Sequence, residues 1–194
     1  MDRDLTQANP PSDLDWPMWV ARWDRMQDRH LVRRAERFAI ITRLIQATQP
    51  ACPVVVDLGC GTGSLSWAVL DACPGATVHS IDFDPFTLWL ARARLASARN
   101  RVTLTLADLR QADWTNQVPV RVDAVVSATA LHWMTAEQLA ALYVQVAGLL
   151  RPGGIFINAD HVGSPDTNIR TCWERHRAGE LESVQSRGET WDEF

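Results

Sequence analysis

Apolar residues change their spacing at Pro53. Before it they fall three and four apart; after it they gather into short β-branched runs separated by helical stretches. Asp15 is a good N-cap, and behind it Trp16, Trp19, Val20, Trp23 and Met26 recur at helical spacing. A second helical run carries Leu31, Ala35, Phe38, Ile41 and Ile45 and stops at Pro50. Three tryptophans on one stripe bury a large apolar area, so the first helix either packs on the domain core or forms a lid over a substrate pocket. Residues 1–14, with Asn9-Pro10-Pro11, read as a flexible lead-in.

From Pro53 onward, strand and helix patterns alternate, which predicts a parallel sheet with crossover helices. Strands are expected at 53–58, 77–82, 102–106, 122–127 and 154–159. The helices between them carry their own start signals. Asp84-Pro85 is an N-cap followed by proline at the first helical position, and Thr135 with Gln138 forms a capping box. Arg151-Pro152-Gly153-Gly154 is expected to end the helix after the fourth strand and turn the chain into the fifth. Residues 161–194 hold one amphipathic helix through Ile169, Cys172, Trp173, Leu181 and Val184, then Gly188 and a polar, aromatic end, with no further strand.

Composition narrows the chemistry by exclusion. The chain has 194 residues, 46% hydrophobic and 22% charged, enough for one domain with a sizeable core. All 19 basic residues are arginine. Without a lysine there is neither a phosphate-binding P-loop nor a pyridoxal Schiff base. Cys52, Cys60, Cys73 and Cys172 are scattered, which points to a reduced compartment and no structural metal. The formal charge of -4 gives no global footprint for nucleic acid, and the seven arginines between Arg22 and Arg43 read as a solvated helix face. No apolar run approaches a membrane span, and Met1-Asp2-Arg3-Asp4 does not open a signal peptide. The expectation is a cytoplasmic protein with no membrane partner.

The chemistry concentrates where the first strand ends. Val54-Val55-Val56-Asp57-Leu58 runs directly into Gly59-Cys60-Gly61-Thr62-Gly63, a glycine turn that opens a helix and can press its backbone against the polar part of a nucleotide-like ligand. The spacing is one residue shorter than the G-x-G-x-x-G of nicotinamide and flavin sites. Asp82 closes the second strand, 23 residues beyond Gly59, where a carboxylate can accept ribose hydroxyls.

Val56-Asp57-Leu58-Gly59-Cys60-Gly61-Thr62-Gly63, Ser80-Ile81-Asp82-Phe83-Asp84-Pro85, Ala107-Asp108-Leu109 and Leu150-Arg151-Pro152-Gly153-Gly154 resemble the ordered motifs of class I S-adenosylmethionine-dependent methyltransferases. The fourth strand and its exit, Asp123 to Trp133, are similar to the trans-aconitate methyltransferase-like branch, whose acceptors are small molecules. The resemblance implies a Rossmann-like doubly wound α/β sheet of order 3-2-1-4-5. It also implies one domain, with a helical cap at 15–50, a cofactor-binding core at 53–160 and a C-terminal segment at 161–194. S-adenosylmethionine is the implied cofactor. Asp57, Gly59, Gly61 and Gly63 would hold its methionine and sugar part, Asp82 the ribose hydroxyls, and Ser127 would meet the methionine moiety. Phe83 would pack on the adenine, Asp108 would accept from its exocyclic amine, and Leu109 would cover the other face.

Methyl transfer from a sulfonium needs positioning more than covalent help, and a base only if the acceptor loses a proton. His132, just past the fourth strand, and His161, after the fifth, are the candidate catalytic residues. Arg33, Arg34 and Arg37 either face solvent or reach an anionic group. Nucleic-acid methylation is disfavoured, because Ser127-Ala128-Thr129-Ala130 stands where amino-methylating enzymes carry Asn/Asp-Pro-Pro-aromatic and cytosine C5 enzymes carry Pro-Cys. Two other readings stay open: a nicotinamide-dependent oxidoreductase with a shortened fingerprint, and a non-catalytic cofactor-binding chain that acts through partners. The family closes its sheet with a sixth and seventh strand, and neither is found here. Either the sequence stops short of them, or another subunit, as in a homodimer, covers the edge.

Overall fold

The structure is a computed structural model that describes residue 11, residues 13–160 and residues 163–182. Five parallel strands, β1 (Val54–Leu58), β2 (Thr77–Asp82), β3 (Val102–Leu106), β4 (Val122–Ala128) and β5 (Leu150–Ala159), form one sheet in the order β3-β2-β1-β4-β5. This is the expected doubly wound arrangement. The order reverses at β1, which pairs with β2 on one side and β4 on the other, so a ligand crevice opens at the exits of β1 and β4.

Helices cover both faces. On one lie α2 (Arg34–Thr48), α3 (Ser64–Ala72) and α4 (Pro85–Arg94), with Ile41, Ile45, Val69, Leu70 and Leu95 packed against Val55, Val78, Ala124 and Val126. On the other, α5 (Ala136–Leu149) sets Leu142, Val146 and Leu149 against Val56, Leu58, Ile81 and Val125. Trp114 fills this second layer, and its indole donates to Gln145 Oε1 at 2.7 Å. The two-residue alternation of β1 therefore puts Asp57 on the α3 face with Val55.

The start signals act as the sequence suggests. Asp15, Asp84 and Thr135 each accept a backbone N–H at a helix start, and the Thr135/Gln138 capping box is complete. The boundary at Arg151 differs from expectation. β5 begins at Leu150 and takes in the Arg-Pro-Gly-Gly run, with an irregularity where pairing jumps from Val122↔Leu150 to Ala124↔Ile155. An edge strand tolerates this, because Pro152 need not donate to a neighbour there. Arg151 is anchored as well: its Nε donates to Asp123 Oδ1 at 2.5 Å and its Nη2 to Gln49 Oε1 at 2.8 Å. Asp123 Oδ2 in turn accepts Val54 N–H at 2.7 Å, which fixes the start of β1.

The segment expected as a helical cap holds α1 (Trp16–His30) and α2. Trp16 and Trp19 meet Phe86 and Trp89 of α4 at ring separations of 6.0 to 6.5 Å. After β5, the described residues hold α6 (Thr167–Glu182) and no sixth strand. None of the described helices is long and apolar enough to cross a membrane. Val184 and Gly188, like residues 1–10, lie outside the described residues.

Gly63 sits in the left-handed region at φ +73, and a Cβ there would lie 2.8 Å from Leu95 Cδ1 and 3.2 Å from Ala91 Cβ. Gly63→Ala is therefore expected to destabilise the protein by about 2–4 kcal/mol, combining backbone strain with overpacking. Denaturant unfolding measures it, and a loss below about 0.5 kcal/mol would show that α4 can retreat at no cost.

Candidate functional site

Two cavities meet at the exits of β1 and β4. The larger, about 540 Å³, is lined by Gly59, Gly61, Asp82, Phe83, Asp108, Leu109 and Arg110. The smaller, about 290 Å³, is lined by Asp57, Ser64, Gln27, His30, Arg34 and His132. Gly59, Gly61, Trp23, Thr129 and Trp133 are common to both.

The three glycines serve three purposes. At Gly59 (φ +66) a Cβ would sit 2.5 Å from Ala130 Cβ, so the residue lets the chain leaving β4 cross over. At Gly61 (φ +51) nothing lies within 4 Å of such a Cβ, and the backbone there opens onto both cavities. Gly63 lines neither cavity; its N–H donates to Cys60 C=O at 2.9 Å, and its missing side chain admits α4. Here it has a packing role. Cys60 is buried with its thiol pushed well up by desolvation, which makes it inert as a nucleophile.

Asp82 ties the loop to the next helix. Its Oδ2 accepts Gly61 N–H at 2.7 Å and its Oδ1 accepts Asp84 N–H at 3.0 Å. Burial pushes this carboxyl above its usual range, against the pull of those amides. A carboxylate has about four acceptor positions, so after these two bonds each oxygen can still accept a hydroxyl. Phe83, 68% exposed, stands beside it at the cavity mouth. These features fit a nucleoside: a carboxylate for a vicinal diol, open backbone at Gly61, and apolar surface at Phe83 and Leu109.

Asp108 is engaged differently from expectation. Arg110 grips it with Nε at 2.8 Å to Oδ1 and Nη2 at 2.7 Å to Oδ2, while Arg110 N–H reaches Oδ1 at 2.9 Å. That pairing holds the carboxyl below its usual range. A base amine would therefore share Asp108 with the half-exposed Arg110.

Ser127 is also placed otherwise. It has no exposed surface, and its hydroxyl donates to Leu58 C=O at 2.7 Å. Strand alternation turns it toward the α5 side together with Val125, and Ala128 lines the smaller cavity instead.

Asp57 is buried beneath that cavity. Ser66 donates to its Oδ2 at 2.6 Å and also lies 2.7 Å from Ser80 Oγ, which links β1, α3 and β2. Desolvation, only partly offset by Ser66, raises its pKa from 3.8 to about 7.

His132 faces the smaller cavity. Asp160 clamps it twice, with Oδ1 2.7 Å from Nδ1 and Oδ2 accepting the backbone N–H at 2.9 Å. Since a carboxylate only accepts, Nδ1 carries the proton, which leaves Nε2 as the basic nitrogen of a neutral ring. His161 lies outside the described residues. No three His, Cys, Asp or Glu side chains gather as a metal site among the described residues. Of the three arginines, Arg34 lines the cavity and stacks on Phe38 at 5.1 Å, Arg33 pairs with Glu180 of α6, and Arg37 donates to Val32 C=O.

Several residues at the site were assigned no role from the sequence. Thr129 takes φ +52, which is rare for a β-branched residue. Trp133, 85% exposed, leaves its ring at the mouth of both cavities. Asp160 and Arg110 had a signal only in their adjacency to His161 and Asp108.

Residues 55–154 match the family described as a methyltransferase domain. The trans-aconitate 2-methyltransferase of Methylobacterium radiotolerans is 37% identical over 142 residues, spanning 73% of this chain and 47% of that protein. That of Streptomyces coelicolor is 30% identical over 139 residues, spanning 71% and 45%. The chain thus spans about half the length of the curated relatives it matches. Among solved structures, CalS10, an amino pentose methyltransferase from Micromonospora echinaspora solved with S-adenosylmethionine bound, superposes with a TM-score of 0.59 at 26% identity, covering 79% of this chain and 60% of that one. Streptomyces venezuelae DesVI shares the fold at a TM-score of 0.61 and 22% identity, covering 77% and 59%.

The position of Asp57 predicts a pH effect on stability in the absence of ligand. Its folded pKa lies above its unfolded one, so its stabilising contribution is complete below about pH 4 and is lost as pH rises to about 7. Asp57→Asn keeps an acceptor for Ser66 and removes the charge. Its melting temperature is expected to pull ahead of the wild type between pH 4 and 7 and to run parallel above pH 8; a gap independent of pH would show that Asp57 does not titrate there.

Proposed function

The chain belongs to the class I S-adenosylmethionine-dependent methyltransferase family, and from that membership we propose that it methylates a small-molecule acceptor by direct in-line displacement. One observation supports this most: two chambers of different character share the glycine loop as a wall. The larger offers diol and base recognition at Asp82, Phe83 and Leu109. The smaller, lined by Arg34, Gln27, His30 and His132, offers cationic and neutral donors to a polar acceptor. The family match sets aside the nicotinamide reading.

When bound, S-adenosylmethionine supplies a methyl group already activated on a sulfonium. The chain's own residues then bind, orient and exclude water. Asp82 would take the ribose hydroxyls on its remaining lone pairs. Gly61 provides the open backbone and Asp57 the floor. Trp23 and Trp133 close the mouth over both chambers. Asp160 holds the His132 ring so that Nε2 can accept a proton from a hydroxyl or amine acceptor. A carboxylate acceptor, as the names of the trans-aconitate relatives suggest, needs no such step.

Calorimetry with S-adenosylhomocysteine tests the cofactor chamber. Asp82→Ala is expected to weaken binding about tenfold to a hundredfold, the scale of losing hydrogen bonds to a charged acceptor. An unchanged Kd would remove Asp82 from the site, and no wild-type binding at millimolar concentration would overturn the reading. A second measurement assigns His132. His132→Ala should leave S-adenosylhomocysteine affinity intact and lower kcat about 10²–10⁴-fold on a hydroxyl or amine acceptor, while sparing kcat on a carboxylate. Tight binding without turnover across all three acceptor classes would favour the non-catalytic reading.

A further inference from the structure

Arg94, on the last turn of α4, belongs to no motif, yet it touches both walls of the site. Its Nε donates to Thr62 C=O, in the middle of the glycine loop, at 2.9 Å. Its Nη2 donates to Asp24 Oδ1 on α1 at 2.8 Å, and the same oxygen lies 3.3 Å from Arg34 Nη1 on α2. The Arg94 side chain is 13% exposed, that of Arg34 16% and that of Asp24 33%, so the charges meet in a part-buried seam between cap and core. Asp24 directly follows Trp23, whose side chain lines both chambers.

Two further contacts make this seam a fixed one. Gly63 admits Leu95 and Ala91 within Cβ distance, so the end of α4 cannot slide relative to the loop. The Trp16 and Trp19 rings hold the start of α1 on Phe86 and Trp89, at the other end of α4. Between those anchors, the Asp24–Arg94 pair sets how close the middle of α1 comes to the glycine turn.

We propose that Arg94 is a positioning residue: its guanidinium fork joins the glycine loop to α1 through Asp24 and thereby seats Trp23 on the wall common to both chambers. The inference rests on the cofactor reading above. A planar fork serves two acceptors in different directions, the Thr62 carbonyl and the Asp24 carboxylate, and a lysine ammonium on a flexible stem does not reproduce that geometry. The device acts on the bound nucleoside through Trp23 and touches no reacting atom itself.

The test is calorimetric titration of the full chain with S-adenosylhomocysteine, alongside melting temperatures, for Arg94→Gln, Arg94→Lys, Asp24→Asn, Trp23→Ala and the Asp24→Asn/Trp23→Ala pair. Arg94→Gln and Asp24→Asn are each expected to weaken Kd about tenfold, the scale of one coupled charged contact. Arg94→Lys should not recover the loss, and the double variant should bind no more weakly than Trp23→Ala alone. Additive losses in the double variant would overturn the inference. So would wild-type affinity in Asp24→Asn, or lowered melting temperatures with unchanged Kd. If Arg94→Gln fails to fold, the Asp24–Trp23 cycle decides between the same two outcomes. A wild type that does not bind overturns the cofactor reading and this inference with it; a wild type that binds, with variants that bind equally well, overturns the inference alone.

Discussion

The tightest constraint in the molecule is the crossing of two chain segments, one leaving β1 and the other leaving β4. A side chain at Gly59 would place its Cβ 2.5 Å from that of Ala130, so the crossing requires glycine. It also requires Thr129 to adopt φ +52, a conformation that costs about 1–3 kcal/mol for a non-glycine residue. Part of that cost is offset where Thr129 N–H donates to Ala159 C=O at 3.2 Å, which binds the strained turn to the edge strand. The crossing is what makes one site of two strand exits. Gly59 and Thr129 wall both chambers because they are pressed together.

Carboxylates hold the rest of the frame in place before any ligand arrives. Asp123 takes the first N–H of β1 while paired to Arg151, and Asp57, further along the same strand, takes a hydroxyl from α3. Asp82 then pins Gly61. Each is buried and each is hydrogen-bonded, as the cost of hiding an unpaired charge demands. The consequence is preorganisation: the glycine loop does not have to be ordered by what it binds. Asp57 and Asp82 also differ in what remains to them. Asp57 is taken up by Ser66 and has its pKa near 7, whereas Asp82, at a cavity wall, keeps acceptor capacity for a ligand.

How much of this was legible depends on the kind of rule involved. The sheet order, the caps at Asp15, Asp84 and Thr135, and the gathering of Gly59, Gly61, Asp82 and Phe83 follow from local pattern and motif order, which act along the chain. The orientation of Ser127 follows from a rule that is also local: alternation along β4 turns it from the cavity and gives that face to Ala128. The contacts of Gly63 and Asp108 were not legible for a different reason. What they do depends on partners brought in by tertiary packing, Leu95 from the end of α4 in one case and the guanidinium geometry of Arg110 in the other. The beginning of β5 was missed because Pro152 and Gly153 signal a turn anywhere except on an edge strand, and edge position is a property of the whole sheet. Thr129 carries no sequence signal at all, since threonine is the wrong residue for its backbone.

The tryptophan stripe of α1 separates two readings that a sequence cannot. Core packing and lid formation were alternatives for the helix as a unit, yet the structure divides them by residue: Trp16 and Trp19 pack on α4, and Trp23 overhangs the chambers. Both ends of the helix are held, the first by those rings and the second by the fully buried Met26 and the ion-paired Asp24. The same division separates the roles of sequence regions. Gly61, Asp82 and Phe83 at the β1 and β2 exits line the larger chamber, while Gln27, His30 and Arg34 of the N-terminal helices contribute polar groups to the wall of the smaller one. Changes in the cap can therefore alter what is held beside His132 without disturbing Asp82 or the glycine loop, so a cofactor frame of fixed chemistry can serve different acceptors. The limit on that freedom is the Asp24–Arg94 seam, where charge bonds the cap to the residue that holds the loop.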